Sequence, residues 1–104
     1  MKYRINYSKV ISQVEEMEAL VEKLSRQIRY LEQKGHECRT VWKGQASEQF
    51  LAKVDILCSN MNITKSQMSE LALTIKYCAD RIQRADREAA EKAAMLSSGN
   101  SILS

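Results

Sequence analysis

The chain has 104 residues and carries 16 lysines and arginines against 13 aspartates and glutamates, a formal charge of +3. With 44% hydrophobic residues it is too apolar for a disordered segment, and its length suits one small domain. No proline and only three glycines leave few turns, which argues for an all-α class over a turn-rich β architecture. Both signs of charge are scattered along the chain without a basic stripe, against nucleic-acid binding. No run approaches the ~20 apolar residues of a membrane span, against stable membrane insertion.

The opening Met1-Lys2-Tyr3-Arg4-Ile5-Asn6 leads into charged helix without the apolar stretch of a cleavable secretory signal. The expectation is synthesis in the cytoplasm, with any export by a dedicated route. A first helix is predicted over about residues 7–41. Its apolar or small positions are Val10, Val14, Met17, Val21, Leu24, Ile28, Leu31, Gly35, Cys38 and Trp42, in alternating steps of four and three. Asn6 or Ser8 supplies the N-cap. Gly35 costs about 1 kcal/mol against alanine inside a helix, and would allow close approach of a neighbour.

The turn is placed at about 42–45, with Gly44 as the reversal point and Trp42 closing the open end of the core just before it. Phe50, the only phenylalanine, is expected in the core beside the turn. A second helix is predicted from about 46 to about 95 with a seam of Ser47, Phe50, Val54, Leu57, Met61, Thr64, Met68, Leu71, Ile75, Cys78, Ile82, Ala85 and Ala89. A period of 3.5 residues on both arms predicts an antiparallel hairpin with a gentle left-handed supercoil. Only residues up to about Cys78 reach the first helix; the next stretch projects, supported by pairs such as Asp80 with Arg84 and Glu88 with Lys92. The domain is thus 1–96, followed by a flexible tail over 97–104.

Catalytic chemistry is not encoded. His36 is the single histidine, and its i,i+2 spacing from Cys38 points the two side chains apart on a helix. There is no zinc-spaced cluster, no base paired with a nucleophile and no glycine-rich phosphate loop, so neither metal, cofactor nor enzyme activity is expected. Cys38, Cys58 and Cys78 are spread along the rods. At about 1.5 Å of rise per residue, Cys38 and Cys78 are far beyond the ~7 Å that a disulfide spans.

Two helices meeting along one seam leave every core residue near water, and no disulfide or metal compensates. Association is the remaining remedy: a pair of hairpins makes a four-helix bundle. The second helix carries Leu51, Ile56, Ile63, Leu73 and Tyr77 off its seam, and these are the predicted partner-binding residues. Ile11, Leu20, Tyr30 and Val41 lie off the seam of the first.

The pattern Trp42-x-Gly44-x-Ala46-x-x-x-Phe50, centred in about a hundred residues of heptad-patterned helix, resembles the WxG-motif family of ESAT-6-like small substrates of bacterial type VII secretion. The resemblance covers nearly the whole chain. It implies a helical-hairpin dimer, with itself or with a similar hairpin, exported by a membrane ATPase-driven apparatus. Trp42 and Gly44 would carry over as the motif residues read in secretion. The family's C-terminal aromatic-x-x-x-acidic signal is altered: Tyr77 is followed by Arg81, and the acidic match is Ile82-x-x-x-Asp86, with isoleucine in place of the ring. Three readings follow. The chain is a secreted substrate or co-secreted partner; or a chaperone or targeting factor for a larger toxin; or an intracellular coiled-coil adaptor forming one long unbroken rod.

Overall fold

The protein, seen in a computed structural model, is described over residues 5–103, with side-chain surroundings given through Ser98. Helix α1 spans Tyr7–Val41 and helix α2 spans Gln45–Leu103, and they form an antiparallel hairpin. At α1's N-terminus the Asn6 side chain accepts a hydrogen bond from the Lys9 N–H at 3.1 Å, which settles the cap between the two candidates. The chain folds back over Trp42, Lys43 and Gly44 alone. Helix α2 does not end near residue 95. It is helical to Leu103, so the loose tail expected from residue 97 is replaced by helix, with Ser104 outside the described residues. No proline interrupts it, and Gly99 adds a cost of only about 1 kcal/mol where backbone hydrogen bonds are otherwise satisfied within the helix.

The molecule measures 90 × 17 × 13 Å. A helix with its side chains is about 10–12 Å across, so the hairpin is a single layer, open to water on two sides. Along α1 the predicted seam holds from Val10 to Gly35, with Val14, Ile28 and Gly35 buried. Cys38 and Trp42, its expected last members, are exposed.

On α2 the seam is rotated from the predicted one. Leu51, Cys58, Ala72 and Ala79 are buried, while Phe50, Leu57 and Leu71 are 55%, 51% and 53% exposed. The common column Ser47, Val54, Met61, Met68, Ile75 and Ile82 faces α1 as expected, all buried or half-buried. The neighbour that completes it lies four residues on instead of three. Both choices have the same 3.5-residue period, so periodicity alone does not separate them. Packing does: α1 contributes the bulky Val14, Leu24, Ile28 and Leu31, and the small side chains of Cys58, Ala72 and Ala79 let α2 lie close. The tight turn also shifts the pairing, which runs past Cys78 to the buried Ala79 and the half-buried Ile82.

Three interhelical contacts lace one side of the hairpin. The Tyr7 phenol donates to Asp80 Oδ1, Arg39 pairs with Asp55, and Asn62 Nδ2 donates to Glu32 Oε1 at 3.5 Å. At 100° per residue, Glu32 and Arg39 share one column of α1, and Asp55 and Asn62 share one column of α2. The same phase turns Met17, Leu20, Leu24 and Leu31 of α1, with Phe50, Leu57 and Leu71 of α2, to the opposite side.

Candidate functional site

The tip is built from the chain's own capping requirements. Trp42 leaves α1 in an extended conformation, with φ −114° and ψ 106°, while its N–H still donates to the Cys38 carbonyl at 2.8 Å. Gly44 has φ +126°, a region that side-chain-bearing residues rarely adopt. Its carbonyl then accepts from the Glu48 N–H at 3.1 Å and from the Ser47 hydroxyl at 2.8 Å, which opens α2. Ser47 is the buried polar residue of this end, and that bond satisfies it. One residue between Trp42 and Gly44 is therefore the spacing needed to end one helix and start the next.

Trp42 does not cover the end of the core. The extended backbone swings its ring onto the flank, where it lies 45% exposed, with its centroid 5.7 Å from that of Phe50 and a tilt of 49°. Leu51 and Ser47 fill the interior in its place. The aromatic pair instead stands at one end of the open apolar side, followed down the rods by Leu57, Leu71, Leu20 and the half-buried Met17, Leu24 and Leu31. Of this strip the sequence marks Leu20 as lying off the seam, whereas the spacing of Phe50, Leu57 and Leu71 puts them in the predicted intrachain seam.

The five residues singled out for partner binding divide. Leu51 is 3% exposed between the helices of its own hairpin and is thereby removed from the set. Ile56, Ile63, Leu73 and Tyr77 are all exposed on α2, and Leu73 lines a shallow groove with Glu18, Ala19, Val21 and Glu22 of α1. They form a stripe of their own, with Arg81 stacked over Tyr77 at 5.7 Å from the ring centroid. Ile82 and Asp86 are half-buried beside the N-terminal end of α1, one turn below the Tyr7 to Asp80 bond. The motif residues Trp42 and Gly44 thus lie at one end of the paired region, and Ile82 and Asp86 at the other.

Electrostatics across the hairpin are mild. The hydrogen bond to Asp80 holds the Tyr7 phenol above its ordinary value, since ionising it would set two anions together. Burial, reinforced by Glu32 and Asp55, raises the Cys58 thiol, while Cys38 and Cys78 are exposed and all three cysteines are free. Lys34 is raised by its bond to Glu37. Among the described residues no group of three or more histidine, cysteine or carboxylate side chains could hold a metal, and no helix is long and apolar enough to cross a membrane.

The family description "Proteins of 100 residues with WXG" matches residues 2–87, which takes in the tip, both seams and the Ile82 to Asp86 turn. The chain belongs to the WXG100 family. It is a small ESAT-6-like protein associated with type VII secretion, and members of this family are small secreted helical proteins rather than enzymes. No curated protein and no solved structure matched the chain. As a WXG100 protein it has the helical hairpin expected of it, with the motif tryptophan and glycine forming the turn itself.

Proposed function

We propose that this WXG100 protein is one half of a helical-hairpin dimer, a substrate or co-secreted partner of type VII secretion acting through protein–protein contact. The observation that carries the reading is the apolar strip from Trp42 and Phe50 through Leu57 and Leu71, flanked by Leu20, Leu24 and Leu31, open along one side of a single-layer rod. Contiguous exposed apolar surface of this kind marks an interface, whereas the opposite side carries the polar contacts Tyr7–Asp80, Glu32–Asn62 and Arg39–Asp55. Two hairpins stacked on that side make a four-helix bundle with a dry centre. The Trp42–Gly44 turn and the Ile82 to Asp86 segment remain at its ends as the surfaces for the secretion ATPase.

Sedimentation or native mass spectrometry of the purified chain, alone and with candidate hairpins from its own cell, tests the pairing. Leu57→Arg should abolish association while far-ultraviolet circular dichroism remains helical; a Leu57→Arg protein that still dimerises refutes the assignment of this face. Comparing culture fluid and cells with the secretion ATPase present or deleted tests export, and an unchanged distribution would count against it.

A second reading, as chaperone or targeting factor for a larger toxin, is favoured by one feature. Ile56, Ile63, Leu73 and Tyr77 are exposed and lie outside the proposed pairing face. Ile63→Glu should then release a co-purifying toxin while leaving the dimer intact. The adaptor reading required an unbroken rod, and the chain instead doubles back at Gly44.

A further inference from the structure

The open face holds two of the three thiols, one near each end. On α1, Cys38 stands one heptad beyond Leu31; on α2, Cys78 stands one heptad beyond Leu71. Each thus continues a column that the open face already contains, and both thiols are free and exposed. Cys58 is different, being buried between the helices. Within one chain Cys38 and Cys78 cannot meet. The Arg39–Asp55 pair sets Cys38 near the tip, and the Tyr7–Asp80 bond sets Cys78 level with the first turn of α1. At about 1.5 Å of rise per residue they are roughly 35–45 Å apart.

The two positions are balanced about the middle of the rod. Halfway between them along α1 lies Leu24, which is also the middle residue of Tyr7–Val41. A second copy stacked on this face and turned end for end about Leu24 therefore brings its Cys78 level with the first copy's Cys38, and its Cys38 level with the first copy's Cys78. One two-fold operation makes both juxtapositions, as an isologous pair requires. The sizes of the side chains along the face favour that orientation over tips side by side. Trp42 and Phe50 fill the tip end, whereas the Phe50 column finishes at the other end in Cys78 and Ala85. End for end, each aromatic pair lies over the small residues of the other copy. Tip to tip, four large rings would meet while the thiol layers left a gap, which close packing disfavours.

We propose that Cys38 of one copy and Cys78 of a second form a disulfide pair, made twice per dimer, which locks two chains of this protein end for end under oxidising conditions. This rests on the assignment of the Phe50, Leu57 and Leu71 face as the pairing face. The oxidant is a small-molecule disulfide. The Cys38 thiolate attacks one of its sulfurs and releases one thiolate; the Cys78 thiolate of the second copy then attacks Cys38 Sγ and releases the other. Two cysteine thiols lose two protons and two electrons, and the oxidant is reduced to two thiols. In a reducing compartment the same pair stays open.

Two variants of the same chain test the bond by complementation. Cys38→Ser and Cys78→Ser, each alone in a glutathione redox buffer, should run as monomers on non-reducing electrophoresis. Mixed in equal amounts they should give a covalent dimer, joined through Cys78 of the first variant and Cys38 of the second as read by peptide mass mapping. Thiols held together in a dimer act at about millimolar effective concentration, so at about 10 μM chain the mixture should bridge roughly a hundredfold faster than either variant alone. Either variant bridging alone as fast as the mixture places the copies tip to tip and overturns the proposal. So does a mixture that fails to bridge although native mass spectrometry shows the reduced chain as a dimer. A reduced wild-type chain that is monomeric in native mass spectrometry, or bridging that persists when Leu57→Arg is added to both variants, overturns the face assignment itself, so the two failures are separable.

Discussion

Gly35 and Gly44 make opposite demands on the backbone, and replacing each by alanine should shift stability in opposite directions. Gly35 lies inside α1, buried, and a Cβ there would meet Val54 Cγ1 at 3.7 Å, an ordinary van der Waals contact. Gly35→Ala therefore requires no movement of α2. It removes the glycine penalty of about 1 kcal/mol and buries one methyl group worth up to about 0.8 kcal/mol. A net stabilisation of about 1–1.5 kcal/mol corresponds to a rise in Tm of roughly 5–8 °C in a domain of this size. Gly44 has open space around its missing Cβ but a φ of +126°, so Gly44→Ala is strained by its own backbone and should cost about 1–3 kcal/mol. Thermal unfolding followed at 222 nm, with both variants at one protein concentration because association shifts Tm, reads the two effects. A Gly35→Ala protein less stable than the wild type would mean that the helices approach more closely at this point than the contact implies, and the packing account of the rotated seam would be wrong.

Leu51→Ala, which opens a cavity in the seam, should destabilise the hairpin by about 2–4 kcal/mol in urea titration, whereas Leu57→Ala should leave monomer stability nearly unchanged and weaken association. Tyr7→Phe should remove the bond to Asp80 and lower Tm at neutral pH. Because the phenol is held above its ordinary value of 10.0, the wild-type advantage should be complete below pH 10 and vanish as pH rises through the higher folded value, which a Tm series from pH 7 to 11 would record. Cys58, buried and with its thiol raised, should resist alkylation at pH 8 until the protein unfolds; in dilute solution, Cys38 and Cys78 should react first. Peptide mass mapping after timed iodoacetamide treatment checks this, and equal labelling of all three would contradict the buried position.

Much of the site was visible in the residues because it is local. The cap at Asn6, the reversal at Gly44 and the run of α1 from Tyr7 to Val41 depend on side chains within a turn or two of one another, and each was placed to within a residue or between two candidates. The stripe of Ile56, Ile63, Leu73 and Tyr77 was legible as well, since a helix displays its off-seam columns whatever it packs on. Trp42 was read as a lid and found on a flank, because the direction of a side chain leaving a helix depends on the backbone of the turn.

The amino-acid order by itself determined two long helices, their period and the bend, all of which follow from spacing and from the conformational freedom of glycine. Only the tertiary structure decided the rotation of α2 about its own axis. Both neighbouring columns of α2 keep the same 3.5-residue spacing, and the outward one, with Phe50, Leu57 and Leu71, is the more apolar along the chain, so the small side chains of Cys58, Ala72 and Ala79 opposite the bulky residues of α1 made the choice. That choice put Leu51 inside and turned Phe50, Leu57 and Leu71 outward as the open face.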